Sequence, residues 1–169
     1  MTVTLRRAAT DDLLAIGALH QRSRLAAYSS FLPAEALAEP TPEAMGRYWA
    51  ERWSWESDTH LMTVAERDGG LVGFSYVGPD DDGDPATGLL YAIHLDPAER
   101  GRGVGRELMI DALATMRGRG WRRAALWVLA ENGHARRFYE RGGWSAAGVE
   151  REDAIGSAVT TQLRYTRPL

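Results

Sequence analysis

Hydrophobic positions change period several times along the chain, and each change predicts an element. Thr2 to Arg7 alternates weakly, as a short first strand would. Thr10-Asp11-Asp12 reads as a helix start, with Leu13, Leu14, Ile16 and Leu19 following at helical spacing. A second helical stretch is expected from about Arg22 to Ser29, before Pro33. Residues 34–54 read as helical but interrupted, with Trp49 and Trp53 on one helix face. Leu61 to Ala65 and Leu71 to Val77 are apolar runs joined by Arg67-Asp68-Gly69-Gly70, and Asp-Gly between such runs signals a hairpin. An acidic, glycine-rich loop from Pro79 to Gly88 leads into Leu89 to Leu95, a near-continuous apolar strand of the kind buried on both faces.

The second half of the chain repeats a strand–helix rhythm. A helix from about Gly103 to Arg117 turns Val104, Leu108, Ala112, Leu113 and Met116 inward and stops at Gly118-Arg119-Gly120. Ala124 to Leu129 is another apolar strand. A short helix from Gly133 to Arg141 follows, capped by Asn132 and stopped by Gly142. Trp144 to Val149 and Val159 to Tyr165 read as two closing strands. The sum is an α/β (α+β) fold, a mixed and mostly antiparallel central sheet flanked by helices. With 169 residues, 44% of them hydrophobic, one domain over residues 1–169 is expected.

Composition narrows the chemistry. A net charge of −3 with 20 spread basic residues lacks the basic stripe of a nucleic-acid binder. The absence of cysteine excludes disulfides, thiolate metal sites and an acyl-cysteine intermediate. The absence of lysine removes Schiff-base chemistry and the Walker A loop. The opening Met1-Thr2-Val3-Thr4-Leu5-Arg6-Arg7 is too polar for a signal peptide, and no apolar run reaches membrane-spanning length, so a cytoplasmic protein without a membrane partner is expected.

The most informative segment is Leu95-Asp96-Pro97-Ala98-Glu99-Arg100-Gly101-Arg102-Gly103-Val104-Gly105, where a buried strand enters a glycine-rich turn that opens an amphipathic helix. Such a turn lets a ligand approach the backbone, and its free N–H groups with the helix dipole suit a phosphate or pyrophosphate. The dinucleotide fingerprint Gly-x-Gly-x-x-Gly fails in both registers, at Arg106 and at Leu108. The spacing instead resembles the coenzyme A motif of the GCN5-related N-acetyltransferases, Arg/Gln-x-x-Gly-x-Gly/Ala, here Arg100-Gly101-Arg102-Gly103-Val104-Gly105. The stretch Asn132-Gly133-His134-Ala135-Arg136-Arg137-Phe138-Tyr139-Glu140-Arg141-Gly142-Gly143-Trp144 is similar to a second pattern of that family, and the ending from Gln162 to Leu169 resembles that of bacterial members.

The resemblance implies acetyl-coenzyme A as co-substrate, no metal, and direct attack by an amine in a ternary complex. It assigns coenzyme A contacts to Arg100, Gly101, Arg102, Gly103, Val104, Gly105 and Arg106, to Asn132, and to backbone groups near Ile93 and Leu95, while Arg136 or Arg137 could pair with the nucleotide phosphates or simply be solvated. Asn132 could equally be only a helix cap. Asn132, Arg136 and Tyr139 share a helix face by their spacing, while Phe138 points to another side, towards the core. Tyr139 has a reference pKa of about 10 and so holds a proton for the departing thiolate. Some members carry a glutamate base eleven positions before the motif's first residue, and that position is Leu89 here. His94, with a reference pKa of about 6.5, and Tyr91 are the polar groups left on the strand. By strict alternation they face opposite sides, and both enter one pocket only if a bulge resets the pleat.

Acceptor contacts are expected from the N-terminal helices and the loop between the last strands: Tyr28, Trp53, Tyr91 and Asp153, with Trp55 and Glu150 as further candidates. His20 and His134 look isolated, and no spacing suggests a metal. The leading function is transfer of acetyl to a primary amine of a small molecule. A protein N-acetyltransferase and a non-catalytic acyl-coenzyme A sensor stay open, and the family's frequent pairing through C-terminal strands makes a homodimer an expectation.

Overall fold

The computed structural model describes residues 2–169. Strand β1 (Thr4–Arg7) is followed by helices α1 (Leu13–Tyr28), α2 (Ala34–Leu37) and α3 (Pro42–Glu56). Next come β2 (Leu61–Arg67), β3 (Gly70–Pro79), β4 (Thr87–Leu95), α4 (Val104–Gly118), β5 (Arg123–Leu129), α5 (Gly133–Arg141), β6 (Ser145–Ile155) and β7 (Ala158–Pro168). The seven strands form one sheet in the order β1-β2-β3-β4-β5-β7-β6, with every neighbouring pair antiparallel except β4 and β5.

Local chemistry explains most of these boundaries. Asp68 and Gly69 both take positive φ, 54° and 79°, the mirror-image turn that suits the twist of a two-residue hairpin. Thr41 accepts a hydrogen bond from the Ala44 amide at the start of α3, with Pro42 at the first helical position. Leu13, Ile16 and Leu19 are buried on α1, and they pack with Met45 and Trp49 of α3 against Met62, Val64, Phe74 and Tyr76. On the opposite face, α4 lays Met109, Ala112, Leu113 and Met116 over Val77, Leu90 and Leu126.

Four expectations change. The two N-terminal helical stretches are the single helix α1, because no glycine or proline breaks the chain where the apolar spacing lapses. Leu14 is 66% exposed, one position off the buried stripe. The last two strands are longer than their apolar runs, and Glu150, Glu152 and Asp153 lie within β6 rather than in a loop. The alternating pairing with β7, not burial, holds that segment extended, since β6 is exposed almost throughout.

Candidate functional site

Two irregularities in the central strands open a cavity. Val77 pairs with Leu90 and Tyr76 with Ala92, so Tyr91 is the extra residue of a β-bulge. The bulge resets the pleat: Tyr91, Ala92 and His94 face α1 and α3, whereas Leu90, Ile93 and Leu95 pack towards α4. Beyond the bulge β4 and β5 part. Their parallel pairing ends at Leu90 and Leu126, while β4 stays on β3 to Leu95 and β5 stays on β7 to Leu129. The wedge between them is part of a cavity of about 810 Å³ whose walls include Ile93, Leu95, Val128 and Leu129.

Backbone polarity follows from the pairing. The Asp96 amide donates to the Val72 carbonyl at 2.9 Å, so the groups of His94 also turn towards β3. Those of Leu95 and Ile93 therefore point the other way, into the wedge. At the strand's end the chain enters the glycine turn. Gly101 and Gly103 adopt φ of 75° and 85°, and a Cβ on either would meet open space, so backbone conformation and not crowding requires glycine there. Gly103 is the N-cap residue of α4, and the first helical amides, Val104 to Arg106, have no intrahelical acceptor. Gly105 differs: it lies beneath Leu95 and Phe138, where a Cβ would sit 3.3 Å from the leucine, and it also lines the cavity.

Helix α5 closes the other side of the wedge. Asn132 caps it by accepting from the Ala135 amide at 3.2 Å and still lines the cavity with its side-chain N–H₂ uncommitted among the described residues. Tyr139 also faces the cavity, and its hydroxyl has no hydrogen-bond partner among the described residues. Burial, and secondarily the nearby Tyr28 hydroxyl, raise its pKa well above the ordinary tyrosine value. Phe138, expected in the core, lines the cavity as well. Arg136 does not: its guanidinium donates to the Tyr165 hydroxyl and the Ala130 carbonyl, both at 3.0 Å, and ties α5 to the sheet.

Around the inner end stand polar groups from α1, α3 and β4. His94 shares a hydrogen bond of 3.0 Å with the Ser23 hydroxyl and stacks on Phe74. Burial first, then Arg24 and Arg100, lower its pKa to about 4, so it is neutral and weakly basic near pH 7. His20 is not isolated. Its ring centre lies 4.1 Å from that of His94, and its Nδ1 accepts from the Trp49 indole at 3.0 Å. Tyr91 donates to the Pro79 carbonyl at 2.6 Å, and burial with nearby Asp81 pushes its pKa up to about 12. That environment works against Tyr91 as a base.

Tyr28 and Asp153 line the cavity, as do the unforeseen Ser23, Arg24, Tyr48 and Arg52. Trp53 packs against the core around Tyr76, Trp55 is exposed, and neither they nor Glu150 line the cavity. Arg100 reaches the cavity rim, whereas Arg102 and Arg106 lean towards Glu99 and Glu107 on the outer surface of the turn. The missed stripe was readable in principle. His20, Ser23, Arg24, Ala27 and Tyr28 recur at helical spacing, a polar stripe on a helix whose other side is apolar. No helix among the described residues is long and apolar enough to cross a membrane.

Comparison with known proteins places these features in company. The family model described as Acetyltransferase (GNAT) family matches residues 26–144. A mycothiol acetyltransferase of Thermobispora bispora is 39% identical over 108 residues, 62% of this chain and 36% of that protein. One of Beutenbergia cavernae is 42% identical over 72 residues, 43% of this chain and 24% of that protein. The chain thus spans about a quarter to a third of the length of these curated relatives. Among solved structures, the PaiA N-acetyltransferase of Thermoplasma acidophilum in complex with coenzyme A superposes over 100% of both chains with a TM-score of 0.83. At 17% identity that likeness is one of fold.

Proposed function

Because the chain belongs to the GNAT acetyltransferase family, we propose that it transfers the acetyl group of acetyl-coenzyme A to a primary amine of a small molecule by direct attack. The observation that carries this reading is the wedge between β4 and β5, which runs from the glycine turn to the unpartnered hydroxyl of half-buried Tyr139. The turn and the first amides of α4 receive the pyrophosphate, where N–H groups and helix dipole favour an anion. The pantetheine arm lies in the wedge, hydrogen-bonded by backbone groups of Ile93 and Leu95 and by the Asn132 amide. The thioester then stands between Tyr139 and the polar end formed by His94, Ser23 and Tyr28.

The neutral amine attacks the thioester carbonyl carbon, and the developing oxyanion takes a backbone N–H of β4. The carbon–sulfur bond breaks as the tetrahedral intermediate collapses, and the thiolate takes the Tyr139 proton. Tyr139 is a weak acid in this dry setting, but the same desolvation raises the proton affinity of the departing thiolate. The proton lost by the amine leaves through water, and water returns a proton to the Tyr139 phenolate. His94, held near pKa 4, orients the Ser23 side of the cavity rather than accepting that proton. Much of the rate enhancement comes from positioning.

The likeness to mycothiol acetyltransferases supports a small-molecule acceptor. So does the cavity, whose volume lies in the range of small-molecule sites. Steady-state thiol release from acetyl-coenzyme A against a panel of amines, with mass spectrometry of the product, tests the reading. Amine-dependent release with an N-acetyl product is expected; tight binding of acetyl-coenzyme A without turnover of any amine overturns it.

A further inference from the structure

Several of the charged side chains that the protein draws inward come with carboxylate partners. Arg164 sits among Asp80, Asp81 and Asp82 with its closest contact at 2.8 Å. Arg67 pairs with Glu99 at 3.3 Å, and Arg6 with Asp12 and Glu66 at 2.7 and 2.6 Å. Arg52, on the cavity wall, is neutralised by Glu56 at 2.7 Å and lies over the Tyr91 ring. Partly buried Arg24 lines the same cavity and has no carboxylate within ion-pair distance among the described residues. Its one hydrogen bond goes to the Glu39 carbonyl at 2.7 Å, and its Nε is buried without an acceptor. A buried cation left unpaired is costly, and that cost is relieved when an anion arrives.

The surroundings of Arg24 are neutral. His20 and Tyr28 lie one helical turn to either side on α1, and His94 faces them from β4. Burial keeps both histidines uncharged and Tyr28 protonated near pH 7, and it lowers the pKa of Arg24 itself. The other charges on the cavity wall are Asp153, whose Oδ1 accepts from the adjacent Ala154 amide, and the cations Arg52 and Arg100. Arg100 stands at the glycine turn, at the coenzyme A end, and Arg24 stands at the amine end.

We infer that the acceptor is an amine that also carries a carboxylate, and that Arg24 binds that carboxylate through its free N–H groups. The inference rests on the acetyltransferase reading above and names its substrate class. A guanidinium meets a carboxylate with two parallel hydrogen bonds, which would fix the orientation of the amine towards the thioester. An amino acid, with its two groups a short fixed distance apart, is the simplest such molecule.

The test compares L-alanine, L-leucine and L-phenylalanine with their α-amides in the thiol-release assay, for the wild type, Arg24→Gln and Arg24→Lys. The free acids should be preferred by the wild type. Arg24→Gln should lower kcat/KM for the acids by roughly 10- to 100-fold, mainly through KM, and change the amides little. Arg24→Lys should restore part of the loss, and the Kd for acetyl-coenzyme A should stay within about threefold in both variants. Equal losses for acids and amides, or a loss confined to acetyl-coenzyme A affinity, overturn the assignment. Calorimetric titration of N-acetyl-L-alanine, -leucine and -phenylalanine into the protein with coenzyme A, against the corresponding N-acetyl amides, decides independently of turnover. Binding that needs both the carboxylate and Arg24 supports the inference; its absence overturns it. Failure of every amine to release thiol counts against the acetyltransferase reading, and the titration still judges Arg24.

Discussion

Tyr139 is a residue at which the proposed proton donation can be tested apart from stability. Its ring packs edge-on to Phe138, Trp144 and Tyr165, and its hydroxyl contacts no partner among the described residues. Tyr139→Phe therefore removes a proton donor and leaves no group unsatisfied. We expect kcat to fall by about 100-fold or more, with the Kd for acetyl-coenzyme A and the thermal midpoint almost unchanged, checked by thiol release, calorimetry and melting. The tyrosine, its capping Asn132 and the glycine turn were legible in the sequence because each answers a local rule, helix spacing or cap chemistry. The environment of His94 was not legible. A reference value near 6.5 suits a base, but burial under the residues that β3 and α1 bring over it, and then Arg24 and Arg100, hold it near 4. Arg136 misled for a similar reason, since its partners Tyr165 and Ala130 belong to segments that only the sheet brings near.

At the scale of elements, strands and helices with a strict period were placed within a few residues. The exceptions lie where tertiary contact overrides pattern. Helices α1 and α3 cross where Gly17 meets Gly46 so closely that a Cβ on Gly17 would fall within the Gly46 backbone. In sequence these two glycines look only like weak helix positions. The turn before α4 makes the opposite demand, open space with a left-handed backbone. Gly103→Val would force a β-branched residue to φ near 85° at the N-cap of α4. Its expected outcome is a loss of acetyl-coenzyme A affinity of at least tenfold with the fold retained. The comparison is Gly118→Ala at the far end of the same helix, where a methyl group meets nothing within 4 Å, and which should bind normally. Equal affinity in the two variants, measured by calorimetry on the folded proteins, would contradict that role for the turn.

For the molecule as a whole, the buried histidines set a pH signature. His94 titrates near 4 and His20 well below its usual value, both chiefly because burial disfavours the charged ring. The unfolded chain takes up these protons near pH 6.5, so between about 6.5 and 4 it binds more protons than the fold does. Burial lowers His60 as well, so stability should be level above pH 6.5 and fall as the solution is acidified, by up to about 4 kcal/mol per pH unit for three histidines. Asp12, held below the usual aspartate range by Arg6, adds a loss of the same sign, but only below about pH 4. Urea midpoints from pH 7.5 to 5 isolate the histidines, and His94→Phe should reduce the slope by about a third. The bulge at Tyr91 has a different reach. It divides β4 into two segments that are out of phase, one keyed to β5 and the other to the cavity. A deletion at residue 91 would leave Leu90 opposite Val77 and Ala92 opposite Tyr76, so Ala92 and His94 would stay on the α1 side and Ile93 and Leu95 on the α4 side. Both cores would keep their contents, and the loss would fall on the Tyr91 ring, its bond to the Pro79 carbonyl and its contact with Arg52, so the extra residue furnishes the cavity wall and leaves the packing of the sheet alone.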